Sequence, residues 1–185
     1  MHEPRTPRLD LRPIGEGDAS LYCRLYTDPG VMRHIAVPLS TEAAQRAFAA
    51  VLRKVRQSPP PLRVWVLVER EVHTEVGILA LMHRRDRDDA LELGAMLLAA
   101  AQGRGLAAEA QTRMLDDHFS GSACPVWSRN AASNVAAAAV RRKLGFVPDP
   151  AVVGKSGEMR WSMTRQRWQD LRAIRTGVAD SSAEG

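Results

Sequence analysis

The stretch from Gly94 to Ala110, Gly-Ala-Met-Leu-Leu-Ala-Ala-Ala-Gln-Gly-Arg-Gly-Leu-Ala-Ala-Glu-Ala, constrains this chain more than any other. An apolar run stops, the spacer Ala99–Gln102 follows, and Gln102-Gly103-Arg104-Gly105-Leu106-Ala107 opens a helical pattern. Two glycines at a strand-to-helix junction let the backbone turn tightly and present bare N–H groups. A helix N-terminus adds unpaired donors and a partial positive charge, so the junction suits a phosphate.

Composition frames that junction. With 185 residues, 45% of them hydrophobic and 25% charged, the chain is long enough for one domain with a real core. Its formal charge of +5 favours an anionic partner without choosing one. Cys23 and Cys124 form no CxxC pair and no Cys/His cluster, which argues against a disulfide scaffold or a zinc site and fits a reducing compartment. The first residues show no apolar signal core, and no apolar run approaches the roughly 18 residues of a membrane span. The expectation is a cytoplasmic protein with no membrane partner and no metal.

Residues 1–7 read as a loose arm and 177–185 as a flexible tail, leaving one domain over 8–176. Leu9–Ile14 alternates like a strand. Asp18 is placed to cap a helix bearing Leu21, Tyr22 and Leu25. Ser40 or Thr41 caps another, with Ala44, Phe48, Val51, Leu52 and Val55 as its stripe. Beyond the Ser58–Pro61 connector, Leu62–Glu69, Glu75–Met82 and Ala90–Leu98 read as an antiparallel meander, with the charged run Arg84–Asp89 at a hairpin tip. Gly103–Phe119 is a helix, Cys124–Arg129 a strand, and Asn134–Leu144 a helix turning Ala136, Ala139, Val140 and Leu144 inward. Met159, Trp161 and Met163 mark a late strand; Trp168, Leu171 and Ile174 mark a short last helix. The second half therefore implies parallel crossovers. The fold class expected is α/β: a mixed central sheet, an antiparallel meander followed by a parallel strand, with helices on both faces.

Two phosphate-binding readings fail. Gly103-x-Gly105-x-x-Ala108 matches a dinucleotide turn literally, but that turn follows its strand at once and needs an acidic residue at the end of the next strand. Here a spacer intervenes, and Asp116 and Asp117 fall inside the helix. Gly154-Lys155-Ser156 has the end of a P-loop, but Asp149 stands where its first glycine is required.

Gln102-Gly103-Arg104-Gly105-Leu106-Ala107 resembles the Q/R-x-x-G-x-G/A motif of the GNAT acyl-CoA-dependent N-acetyltransferases. Asn134 to Lys143-Leu144-Gly145-Phe146 resembles that superfamily's asparagine helix ending in K-L-G-F. Leu9–Ile14, Glu92-Leu93-Gly94, Gln102–Ala110 and Trp168 further resemble the branch of ribosomal-protein-alanine N-acetyltransferases. The resemblance spans roughly residues 8–170 and implies a GNAT-like fold that uses acetyl-CoA. It implies that Gln102, Gly103, Arg104, Gly105, Leu106 and Ala107 hold the pyrophosphate without a metal. It further implies that Met96 and Leu97 meet the acetyl end, and that Asn134 contacts the pantetheine region. Asn134 is equally a helix cap by position, and Ser133 beside it is an alternative cap. A second copy of the chain is an allowed partner. The basic run Arg141-Arg142-Lys143 has few aromatics around it, so no nucleic-acid partner is expected.

Acyl transfer to an amine requires a neutral nucleophile, and amines of pKa about 8 to 10 are mostly protonated at neutral pH. The site must accept a proton and steady the thioester oxyanion. Glu92, at the start of a strand, is the first candidate base, and His34 is the second. Ser133 is placed to relay a proton. Many acetyltransferases of this class carry a tyrosine acid seven residues after the asparagine; Arg141 stands there, and Tyr22 and Tyr26 are the only tyrosines. Arg129 replaces a glutamate of one branch, Ala95 an aromatic and Ala137 a serine. The expected activity is transfer of an acetyl or other acyl group from its CoA thioester to a primary amine, of a protein N-terminus or a small molecule. The alternative is an inactive acyl-CoA-binding sensor or interaction module.

Overall fold

A computed structural model describes residues 3–84, 87–149 and 157–180. The first half comprises β1 (Leu9–Pro13), α1 (Ala19–Thr27), the single turn α2 (Pro29–Met32), α3 (Thr41–Val55), β2 (Leu62–Glu69), β3 (Thr74–Arg84) and β4 (Arg87–Leu97). The second comprises α4 (Leu106–Gly121), β5 (Val126–Ala131), α5 (Val135–Leu144), β6 (Val147–Pro148), β7 (Glu158–Met163) and α6 (Arg165–Asp180). The strands form one sheet in the order β1-β2-β3-β4-β5-β7-β6. β1 to β4 make the antiparallel meander, β4 and β5 are the parallel pair joined over α4, and β7 runs antiparallel to β5 and β6.

Strand alternation divides the core into two layers. Val64, Val66 and Ile78 face Leu21, Leu25 and Phe48 of α1 and α3. Trp65, Leu67, Leu79 and Leu93 face the other way, with Leu106, Met114, Leu115 and Phe119 of α4 and Trp168 of α6. Caps fix the helix starts: the Ser40 hydroxyl accepts from the Ala43 amide at 3.2 Å, and the Asn134 side-chain oxygen from the Ala137 amide at 3.0 Å. Among the described residues no helix is long and apolar enough to cross a membrane.

Four elements differ from expectation. The described part of the N-terminal arm is pinned: Thr6 donates to the Glu109 carboxylate at 2.5 Å, and Leu11 N–H bonds the Pro4 carbonyl at 2.9 Å. Asp18 does not cap α1 with its side chain; it accepts two bonds from Arg12, at 2.9 and 2.6 Å, and one from the Gly15 amide at 2.7 Å. The buried face of α5 is Ala138, Arg141 and Leu144, with Ala136 and Ala139 exposed. An alanine-rich helix offers no stripe to choose by, so its neighbours set the rotation. α6 runs sixteen residues, through 177–180, secured by Trp168, whose indole N–H donates to Asp116 at 2.9 Å. The tip residues 85 and 86 and the 154–156 segment lie outside the described residues.

Burial alone would raise the Glu109 pKa, but hydrogen bonds from Thr6 and Arg8 and the Arg8 charge outweigh it and hold it low. A depressed carboxylate stabilises the fold above its unfolded pKa, about 4, and that share is lost as pH falls through the folded value. Glu109→Gln is expected to flatten this acid-side slope and free the N-terminal arm, read by urea unfolding at a series of pH values and by arm hydrogen exchange.

Candidate functional site

The parallel pair β4–β5 is short. Only Leu91↔Val126 and Glu92↔Trp127 face each other in register. Where the strands part, the fully buried Ser128 hydroxyl donates to the Leu93 carbonyl at 2.8 Å. Beyond it, β4 keeps its pairing with β3 as far as Gly77↔Leu97, while its other edge borders a cleft of about 370 Å³. Gly94, Ala95 and Met96 line one wall; Asn130, Asn134 and Arg141 line the other. β3 presses close at this level: a Cβ on Gly77 would sit 2.2 Å from the Met96 carbonyl oxygen.

The glycine turn follows β4 along the chain. Gly103 and Gly105 have φ of +74° and +79°, a region that disfavours side chains. The first bond of α4 runs from the Glu109 amide to the Gly105 carbonyl at 3.1 Å, so the amides of Leu106, Ala107 and Ala108 precede it. The Gln102 side chain folds back to donate to the Leu97 carbonyl at 3.0 Å and thereby shapes the loop. Leu106 and Leu97 bury their side chains in the core, leaving backbone to offer, and Ala107 is half-buried. Arg104 pairs with Glu69. Around the turn, Arg8, Arg104, Lys143 and Arg175 line a hollow of about 600 Å³. Arg8 and Arg175 are invisible as site residues in the sequence, because the first is brought from the bend just before β1 and the second from α6. The turn thus combines helix-terminal amides and a helix dipole with four cations, of which Arg8 and Arg104 are paired with Glu109 and Glu69 while Lys143 and Arg175 complete the hollow; this set can hold phosphates.

Glu92 is 7% exposed, lines the cleft and accepts from Arg129 at 3.0 Å. Arg129 also reaches Glu158 at 3.2 Å. Burial alone would lower the Arg129 pKa; the two carboxylates outweigh it and raise it. His34 lies after α2, not in the cleft wall, but its Nδ1 is 3.2 Å from the Ser133 hydroxyl, so two residues far apart in sequence meet at the cleft rim. Asn134 spends its side-chain oxygen on the α5 cap and still lines the cleft, so its two positional readings hold together. Tyr26 lines the cleft as well, stacked 4.3 Å from Tyr22, and burial raises the pKa of both phenols. Cys124 stands outside this cleft. Arg141 is 5% exposed, donates to Gln111 of α4 and has its pKa pushed down by burial to about 10.

With this geometry in place, the comparisons are specific. Residues 8–147 match the model of the acetyltransferase (GNAT) domain family. No curated protein sequence matches. Among solved structures, spermidine N-acetyltransferase from Vibrio cholerae, in complex with CoA and spermine, superposes with a TM-score of 0.73 at 18% identity, over 89% of this chain and 99% of that one. An acetyltransferase from Agrobacterium tumefaciens gives 0.72 at 22% identity, over 88% and 94%. RimL, a ribosomal L7/L12 α-N-protein acetyltransferase in complex with CoA, gives 0.71 at 14% identity, over 87% and 96%. At these identities the structures establish the fold.

Because β3 touches β4 at Gly77, Gly77→Ala is expected to push the Met96–Leu97 edge outward and destabilise the protein by about 1–3 kcal/mol. Urea unfolding reads the loss, and faster amide exchange confined to β3 and β4 around Met96 reads its location.

Proposed function

The chain belongs to the GNAT acetyltransferase family, and from that premise we propose that it moves an acetyl group from acetyl-CoA to a primary amine by direct attack. The observation that carries this reading is that β4, whose edge has parted from β5, runs on along the chain through residues 98–102 into the glycine turn. One offers backbone to an amide-bearing arm, the other offers amides and cations to its phosphates.

In this reading, acetyl-CoA supplies the activated acyl group. The amides following Gly103 and Gly105, with Arg104, Arg8 and Lys143, hold the phosphates. The edge of Gly94–Leu97 holds the pantetheine arm and brings an N–H to the thioester oxygen. Asn134 offers its side-chain amide from the opposite wall. The amine enters between Glu92 and the rim formed by His34 and Ile35. Glu92 is the first proton acceptor, and a proton arriving there displaces its bond with Arg129. His34, coupled to Ser133, is the second. The attacking group is the amine of a protein N-terminus or of a small molecule; both present the same nucleophile to this geometry.

Release of free thiol from acetyl-CoA across a panel of small amines and N-terminal peptides tests the activity. Turnover on any member supports it, and tight CoA binding with no turnover throughout assigns the chain as an acyl-CoA sensor instead. Gly105→Glu is expected to abolish CoA binding in calorimetry through bulk and like charge, with the fold retained; unchanged affinity removes the phosphate cradle. Glu92→Gln is expected to lower kcat by about 10²–10⁴-fold, and full turnover across the pH range removes Glu92 as the base.

A further inference from the structure

Arg141 is the one described arginine whose burial is nearly complete and whose charge meets no carboxylate. Arg12 has Asp18 and Glu75, and Arg129 has Glu92 and Glu158. Arg141 has the neutral Gln111 and, 5.8 Å away, the Phe146 ring; only burial acts on its pKa. Its Nε is buried without a hydrogen-bond partner. A buried cation left in this state is costly unless an anion visits it.

Its position says which anion. A helical side chain leans toward the N-terminal end of its helix, and Arg141 on α5 opens onto the cleft wall it shares with Asn134. Arg141 shares its cleft with Ala95 and Met96, not with the glycine turn, where Arg8, Arg104, Lys143 and Arg175 serve the phosphates; the function proposed above puts the thioester beside Met96, and so within the cleft that Arg141 lines. In acyl transfer the amine nitrogen forms a bond to the carbonyl carbon, the carbon–sulfur bond breaks, and its electron pair leaves on sulfur. The amine proton passes to the cleft base or to water. The carboxylates of the cleft, Glu92 and Glu158, are held by Arg129, so the anion that can pair with Arg141 arises during the reaction. We propose that Arg141 is a catalytic residue that receives the departing CoA thiolate as an ion pair, so that no proton donor is needed to expel it. This rests on the function proposed above. Gln111 orients the guanidinium, and the Phe146 ring backs it.

The test uses binding as well as rate. Calorimetry compares CoA with desulfo-CoA, which lacks the sulfur, between about pH 7 and pH 9, where an ordinary thiol titrates. A cation beside the sulfur lowers the bound thiol's pKa, so CoA affinity rises with pH from the bound value to the free one. The comparison cancels the other charged groups that face the cleft, Glu92, Arg129, Glu158 and the Tyr26 phenol, and His34 at its rim. In the wild type the affinity ratio of CoA to desulfo-CoA is expected to rise about tenfold over this window. In Arg141→Met the ratio stays flat and kcat falls on the order of 10²-fold with KM little changed, while Arg141→Lys keeps part of both. A flat ratio in the wild type, or an equal rise in Arg141→Met, overturns the proposal. Should Arg141→Met fail to fold, the wild-type ratio and Arg141→Lys decide it. Failure of the wild type to bind either ligand strikes the proposed function itself.

Discussion

The structure depends on two strands that stop pairing. A parallel strand pair normally satisfies its backbone along its whole length, and a free edge exposes a row of donors and acceptors. Here β4 and β5 stay together for two positions and then separate, with β3 alone holding the last part of β4. Everything else serves that separation. α4 crosses over to make β5 parallel, α5 supplies the far wall, and β7 braces β5 from its other side. The exposed edge is directional and polar, which suits an extended partner carrying amides of its own.

Charge is distributed along the cleft with equal economy. Cations gather at the glycine turn, where the amides of α4 already favour an anion. Where the strands meet, Arg129 bridges Glu92 and Glu158, and Arg160 supplies the second positive charge on Glu158. The same cleft carries the apolar residues Ala95, Met96 and Ala137, with Arg141 beside them. A molecule with phosphates at one end and a neutral thioester at the other meets matching surroundings along its length.

Much of the fold was legible because it is written in local periodicity. The meander, the two helices around β5 and the Ser40 cap follow from alternation, helical spacing and capping chemistry. The glycine turn was legible because only glycine takes those positive φ values cheaply. What escaped was set by neighbours far away in sequence. The N-terminal arm reads as loose until Glu109 reaches it. The rotation of α5 is set by its neighbours, Gln111 and Phe146 among them, so the expected inward face of Ala136, Ala139, Val140 and Leu144 gives way to Ala138, Arg141 and Leu144. Arg8 and Arg175 meet the turn only through tertiary packing. The pairing of His34 with Ser133 has no spacing rule behind it.

Ser128 gives the fork its particular character. Its hydroxyl closes the last gap that β4 and β5 can share, like a rivet at the foot of a split, and nothing in that bond depends on a ligand. The foot of the slot is therefore fixed on folding, by the reach of one short side chain. An incoming arm need not order that foot as it enters. Among related molecules that fit such a slot, differences in grip fall mainly on how long each stays.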